Sequence, residues 1–92
     1  MVSIKLTTDP PQVVTFDGAV LEFFQDISSS RIHVSLLENM QLKTDKKGGH
    51  TLEIDTIDDS GSDAYEVDED AFPKVALLIA QVDKARSAFR FD

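Results

Sequence analysis

Apolar and polar residues alternate along the first two-thirds of the chain, and then the period changes. Val2, Ile4 and Leu6 interleave with Ser3, Lys5 and Thr7, the period-two pattern of a strand with one buried face. Asp9-Pro10-Pro11 breaks that strand, because proline cannot donate to a ladder and restricts the residue before it. Val13 to Phe16 is β-prone, Asp17-Gly18 is a hairpin signal, and Ala19 to Phe24 is the return strand. Asp26 to Ser30 reads as a polar connector. Arg31 to Leu36 sets Ile32, Val34 and Leu36 on one face and Arg31, His33 and Ser35 on the other. Met40, Leu42 and Thr44 continue the alternation, with Glu38-Asn39 as a candidate bend between the two. Asp45-Lys46-Lys47-Gly48-Gly49 is a turn, and Leu52, Ile54 and Thr56 follow as a strand. Asp58 to Asp63 is a loop, and Tyr65 and Val67 make a last short strand.

From Ala71 the apolar positions are Phe72, Val75, Ala76, Leu78, Ile79, Val82, Ala85 and Phe89. That spacing is an amphipathic helix, predicted from about Ala71 to about Arg90. Asp68, Glu69 and Asp70 precede it, where negative charge suits the positive end of the helix dipole. Asp70 is the expected N-cap, and Pro73 fits the first turn. Lys84, Arg86 and Arg90 crowd the last turns, where cations are favoured. Strands first and a helix last predict an α+β fold: an antiparallel sheet of about seven short strands, closed or curved, with one C-terminal helix covering an open end or face.

With 92 residues there is room for one domain spanning 1-92. The net charge is −8 and there is no cysteine. The charge argues against nucleic acid, whose binders neutralise phosphates, and against a polybasic membrane surface module. The missing cysteines exclude disulfides and thiolate chemistry. They are compatible with a reducing compartment, and with no readable signal peptide the expected location is cytoplasmic.

The order of elements is that of a pleckstrin-homology-like barrel, seven antiparallel strands in two bent sheets capped by a C-terminal helix. Arg31-Ile32-His33-Val34, Met40 to Gly48 and Leu52-Glu53-Ile54 resemble small bacterial proteins of that fold. So do Tyr65-Glu66-Val67 and the run from Phe72-Pro73-Lys74-Val75 to Ile79. The resemblance spans about Val13 to Phe89; an open sheet with one packed helix, or another small barrel, are the competing architectures. The fold hosts lipid binders, peptide binders and oligomerisation modules, so it does not by itself assign a function. Lipid-binding members carry lysine and arginine between the first two strands. Here that loop is Thr7-Thr8-Asp9-Pro10-Pro11-Gln12, without a base, so no phosphoinositide binding is expected.

The densest chemical feature is acidic: Asp55, Asp58, Asp59, Asp63, Glu66, Asp68, Glu69 and Asp70, with no lysine or arginine among them. Oxygen-rich segments can hold Ca²⁺, and Asp58, Asp59 and Asp63 are the metal candidates. The EF-hand spacing fails in both registers. Starting at Asp55 puts Ile57 and Ser60 where a ligand and the turn glycine belong, and starting at Thr56 puts Val67 at the closing position. A solvated loop plus helix-start charges is the plainer account, and a divalent cation or a basic partner is the alternative. His33 and His50 lie on a polar strand face and after a glycine turn. Ser28, Ser29 and Ser30 lack a nucleophile-elbow context, so no catalytic residue and no cofactor is expected. The lysine-glycine turn precedes a strand, unlike a phosphate-binding loop. Phe23 and Phe24 are adjacent and so face opposite sides of a strand. One of them, together with Phe89 and Phe91 at the helix end, has no obvious core position. Phe24, Phe89 and Phe91 are therefore the interaction candidates of a stand-alone, non-enzymatic module that binds protein, including a second copy of itself.

Overall fold

The computed structural model describes residues 1–8, 10–25, 28–57 and 62–88. Seven strands precede one helix: β1 (Val2–Thr8), β2 (Pro11–Phe16), β3 (Val20–Phe24), β4 (Ser29–His33), β5 (Leu37–Thr44), β6 (His50–Thr56), β7 (Ser62–Val67) and α1 (Phe72–Ala88). All pairings are antiparallel. They form a four-stranded sheet in the order β1-β2-β3-β4 and a three-stranded sheet in the order β5-β6-β7. The α+β class and the element order are as expected. Of the two forms expected, closed or curved, the sheets are not joined into a closed barrel: among the described residues no ladder links them. They meet at one corner, where the N–H of Asp68, just past β7, donates to the Leu6 carbonyl of β1 at 2.7 Å.

Alternation carries the core. Ile4, Val14 and Phe23 form one inward row across the first sheet, while Leu52, Ile54, Tyr65 and Val67 point inward from the second. The sheets are coupled by a ring stack: Phe23 of β3 and Tyr65 of β7 lie 4.3 Å apart at 7°. Val75, Leu78 and Val82 close the core from α1 and are fully buried. At 17 residues α1 is the longest helix, and no described helix is long and apolar enough to cross a membrane.

Local chemistry shapes the turns. In the β2–β3 turn Asp17 accepts from the N–H groups of Ala19 (2.9 Å) and Val20 (2.8 Å), and Gly18 sits at φ +105°. The last ladder pair is Phe16–Leu21, so the turn is wider than the two residues the Asp-Gly signal implies. Asp45 accepts in the same way from Lys47 and Gly49, both at 2.8 Å, with Gly48 at φ +85°. Both glycines occupy the left-handed region that a side chain disfavours.

Four local expectations are corrected. Ser29 and Ser30 belong to β4 rather than to a connector. The strand from Arg31 does not run to Leu36. It ends at His33, and a 3-10 turn over Val34–Leu36 follows. That turn breaks the alternation, so Leu36 is 43% exposed and Leu37 takes the buried place. A register shift at Lys5/Thr7 buries Thr7 alongside Leu6, and the Thr7 hydroxyl donates to the Pro10 carbonyl at 2.6 Å. Asp70 is not the N-cap. A 3-10 turn over Glu69–Ala71 precedes α1 and Asp68 caps it, its carbonyl accepting from Ala71 (2.9 Å) and Phe72 (3.1 Å). The Asp68 carboxylate makes no cap bond there. It accepts instead from the Thr8 N–H at 3.1 Å and hydroxyl at 3.3 Å.

Candidate functional site

The first sheet has a solvent face whose make-up follows from register. Lys5 opposes Val13, which opposes Phe24, which opposes Ser29; one step along, Thr15, Glu22 and Arg31 form the next row, and Val20 opposes His33 beyond them. Phe23 is 1% exposed and Phe24 is 40% exposed, so the pair divides between core and surface as a pleated strand requires. Val13 and Val20 are half-buried on the same face. Phe24 thus stands beside Val13, and the ion pair of exposed Arg31 (Nε) with half-buried Glu22 (Oε2), 3.3 Å apart, separates this pair from Val20. Beside it lies a recess of about 340 Å³ lined by Thr15, Asp17, Val20, Glu22, Arg31 and His33, with Met1 at its margin.

The titratable groups of that recess are engaged in structure. Hydrogen bonds from Ala19 and then Val20 hold the Asp17 carboxyl below its ordinary pKa. His33 Nδ1 accepts from the Ser35 N–H at 3.1 Å and lies 2.8 Å from the Ser35 hydroxyl. An accepting Nδ1 puts the proton of the neutral ring on Nε2, so His33 serves as the cap of the Val34–Leu36 turn. His50 is in the other sheet, with Nδ1 2.9 Å from the Thr44 hydroxyl and its ring against Phe72, centroids 4.3 Å apart. The two histidines are therefore not brought to one place. Among the described residues no three histidines, aspartates or glutamates converge as a metal site would need.

The acidic segment splits among several settings. Asp55 and Glu66 lie on the solvent face of the second sheet, opposing Ser62 and Thr51 respectively. Asp68 is the tie to Thr8. Asp63 is exposed on β7. Asp58 and Asp59 lie outside the described residues, as do Phe89 and Phe91. Of the interaction candidates, Phe24 is the one with a described position.

One feature of α1 escaped the periodicity. Leu77, absent from the predicted apolar stripe, is 68% exposed, whereas Ala76, placed on that stripe, also faces solvent. Leu77 stands beside β1, where Val2, Ile4, Lys74, Leu78 and Gln81 help to line a groove of about 290 Å³. The available signal was a leucine one residue out of phase with its neighbours. Compared with family models, with curated proteins and with solved structures, the chain finds no match.

Proposed function

We propose that the chain is a non-enzymatic protein-interaction or oligomerisation module built on a pleckstrin-homology-like scaffold and working in the cytoplasm. What supports the scaffold is the division of seven antiparallel strands into sheets of four and three, followed by a C-terminal helix. The single observation that carries the function is Phe24, an aromatic side chain 40% exposed on the solvent face of the four-stranded sheet, with half-buried Val13 paired directly beside it. Exposed aromatics with apolar neighbours are typical of surfaces that bury themselves against protein. The partner is protein rather than phosphate-rich. Net charge is −8, and Thr8, Pro10 and Pro11 at the β1–β2 turn offer no cation.

Two measurements test this. Sedimentation equilibrium from low to high micromolar concentration is expected to show self-association, and an ideal monomer throughout would remove the oligomerisation half. Affinity capture with wild-type and Phe24→Asp baits tests the face. Partners retained equally by both baits would sink the assignment to Phe24.

A further inference from the structure

We infer that α1 carries a self-complementary stripe by which two copies of the chain pair about a two-fold axis, Leu77 meeting Leu77 and Asp70 of each copy meeting Lys84 of the other. The inference rests on the oligomerisation half of the proposed function and says where that contact lies.

Asp70, Lys74, Leu77, Gln81 and Lys84 recur at alternating steps of four and three residues, the seam spacing of packed helices. All five are exposed, and Leu77 is 68% exposed. Asp70 stands in the turn that leads into α1, and the other four lie on the helix. Among the described residues none of Asp70, Lys74 or Lys84 has an ion-pair partner; the ion pair on the helix is Arg86 with Asp83, on a different side. Asp70 and Lys84 stand equally far before and after Leu77. An antiparallel pair of helices centred on Leu77 therefore brings carboxylate to ammonium at both ends, and Lys74 of one copy to the Gln81 amide of the other. A parallel pair would stack acid on acid and base on base. The charges thus select the antiparallel, isologous arrangement, which closes as a dimer.

The surroundings agree. The groove between α1 and β1 gives Leu77 of the second copy an apolar floor at Val2, Ile4 and Leu78. β1 contains no acidic residue and one base, Lys5. Two copies each carrying −8 repel over most of their surfaces. On this side of the molecule Lys74 and Lys84 of the stripe, with Lys5 of β1 beside them, offset part of that repulsion.

The test uses the full chain in sedimentation equilibrium, with far-UV circular dichroism and melting temperature confirming that each variant is folded. Wild type is expected to dimerise. Leu77→Asp should be monomeric, and Lys84→Asp should associate about tenfold more weakly because two pairs become repulsive. The double variant Asp70→Lys with Lys84→Asp should regain the dimer, since each pair is restored with its signs exchanged. A folded double variant that stays as weak as Lys84→Asp would overturn the pairing. A dimer indifferent to Leu77→Asp but lost in Phe24→Asp would move the contact to the sheet face, leaving the interaction module standing and this inference refuted. A monomeric wild type would remove both this inference and the oligomerisation half.

Discussion

The stack of Phe23 on Tyr65 is a direct side-chain link between an inner strand of the first sheet and an edge strand of the second, and its energy can be isolated. Phe23 is 1% exposed and Tyr65 is 5% exposed, with parallel rings 4.3 Å apart. Truncating a buried phenylalanine to alanine costs about 3–5 kcal/mol. A chain of this length has only about 5–14 kcal/mol in total, so alanine risks unfolding the molecule and hiding the pairwise effect. Leucine keeps an apolar filling and removes the ring. The informative experiment is a double-mutant cycle with Phe23→Leu, Tyr65→Leu and the double variant, each unfolded in urea and followed by far-UV circular dichroism. A stacked aromatic pair contributes about 0.5–1.5 kcal/mol beyond the area it buries. The two single losses should therefore exceed the loss in the double variant by that amount, roughly a 1 M displacement of the urea midpoint at the slope expected for a small protein. Additivity within about 0.3 kcal/mol would refute the reasoning. The rings would then be neighbours without coupling, and the sheets would be held by area alone.

Two further outcomes follow from the same core and its edge. Burial, reinforced by the nearby Asp63 and only partly offset by a hydrogen bond with Ser30, raises the Tyr65 phenol above its ordinary pKa of 10.0. A raised acid favours its neutral form in the folded state, so the contribution is complete below the unfolded pKa near 10 and is lost as pH climbs through the folded value. Tyr65 is the only tyrosine and there is no tryptophan, so phenolate absorbance during an alkaline titration reads this residue alone; ionisation at or below the value of a free tyrosine would contradict its placement. At the 3-10 turn, Leu36→Ser should change stability by no more than about 0.5 kcal/mol, whereas Leu37→Ala should cost about 2–4 kcal/mol in thermal or urea unfolding. The reverse order would mean that the turn does not rotate these two leucines as described.

Periodicity made strand and helix existence legible, because each is a repeating preference of consecutive residues. Val2, Ile4 and Leu6 and the Val75–Leu78–Val82 stripe needed no tertiary information. The division of Phe23 from Phe24 was equally readable, since a pleat admits no other arrangement. What escaped was set by side-chain-to-backbone bonds, some local and some between residues distant in sequence. His33 ends β4 because its ring accepts from Ser35, a bond that local alternation does not reveal. In β5 the register shift near Glu38 bends the strand, and the Glu38 carbonyl accepts from Arg86 at 2.9 Å; the sequence showed a bend but not the helix that holds it. Asp70 has the chemistry of an N-cap, yet Asp68 takes the position because Leu6 and Thr8 of β1 also bind it. The Phe24 face was legible as a surplus aromatic. The Leu77 groove was not, because it needs to be known which side of α1 meets β1.

Asp68 has a bearing on the order in which the chain assembles. Its N–H, carbonyl and carboxylate serve three different masters: the Leu6 carbonyl, the first N–H groups leading into the helix, and Thr8. Thr8 and Asp68 are 60 residues apart, so bringing them together encloses nearly every strand in one long loop. Hairpins such as β2–β3 and β5–β6 close over short spans and form cheaply, whereas this corner joins residues 60 apart and bears a larger closure entropy than either hairpin. The start of the helix is fastened by the same residue that finishes the loop. Docking of α1 and the meeting of the two sheets are thereby tied through one residue, and both bear the entropy of closing that long loop.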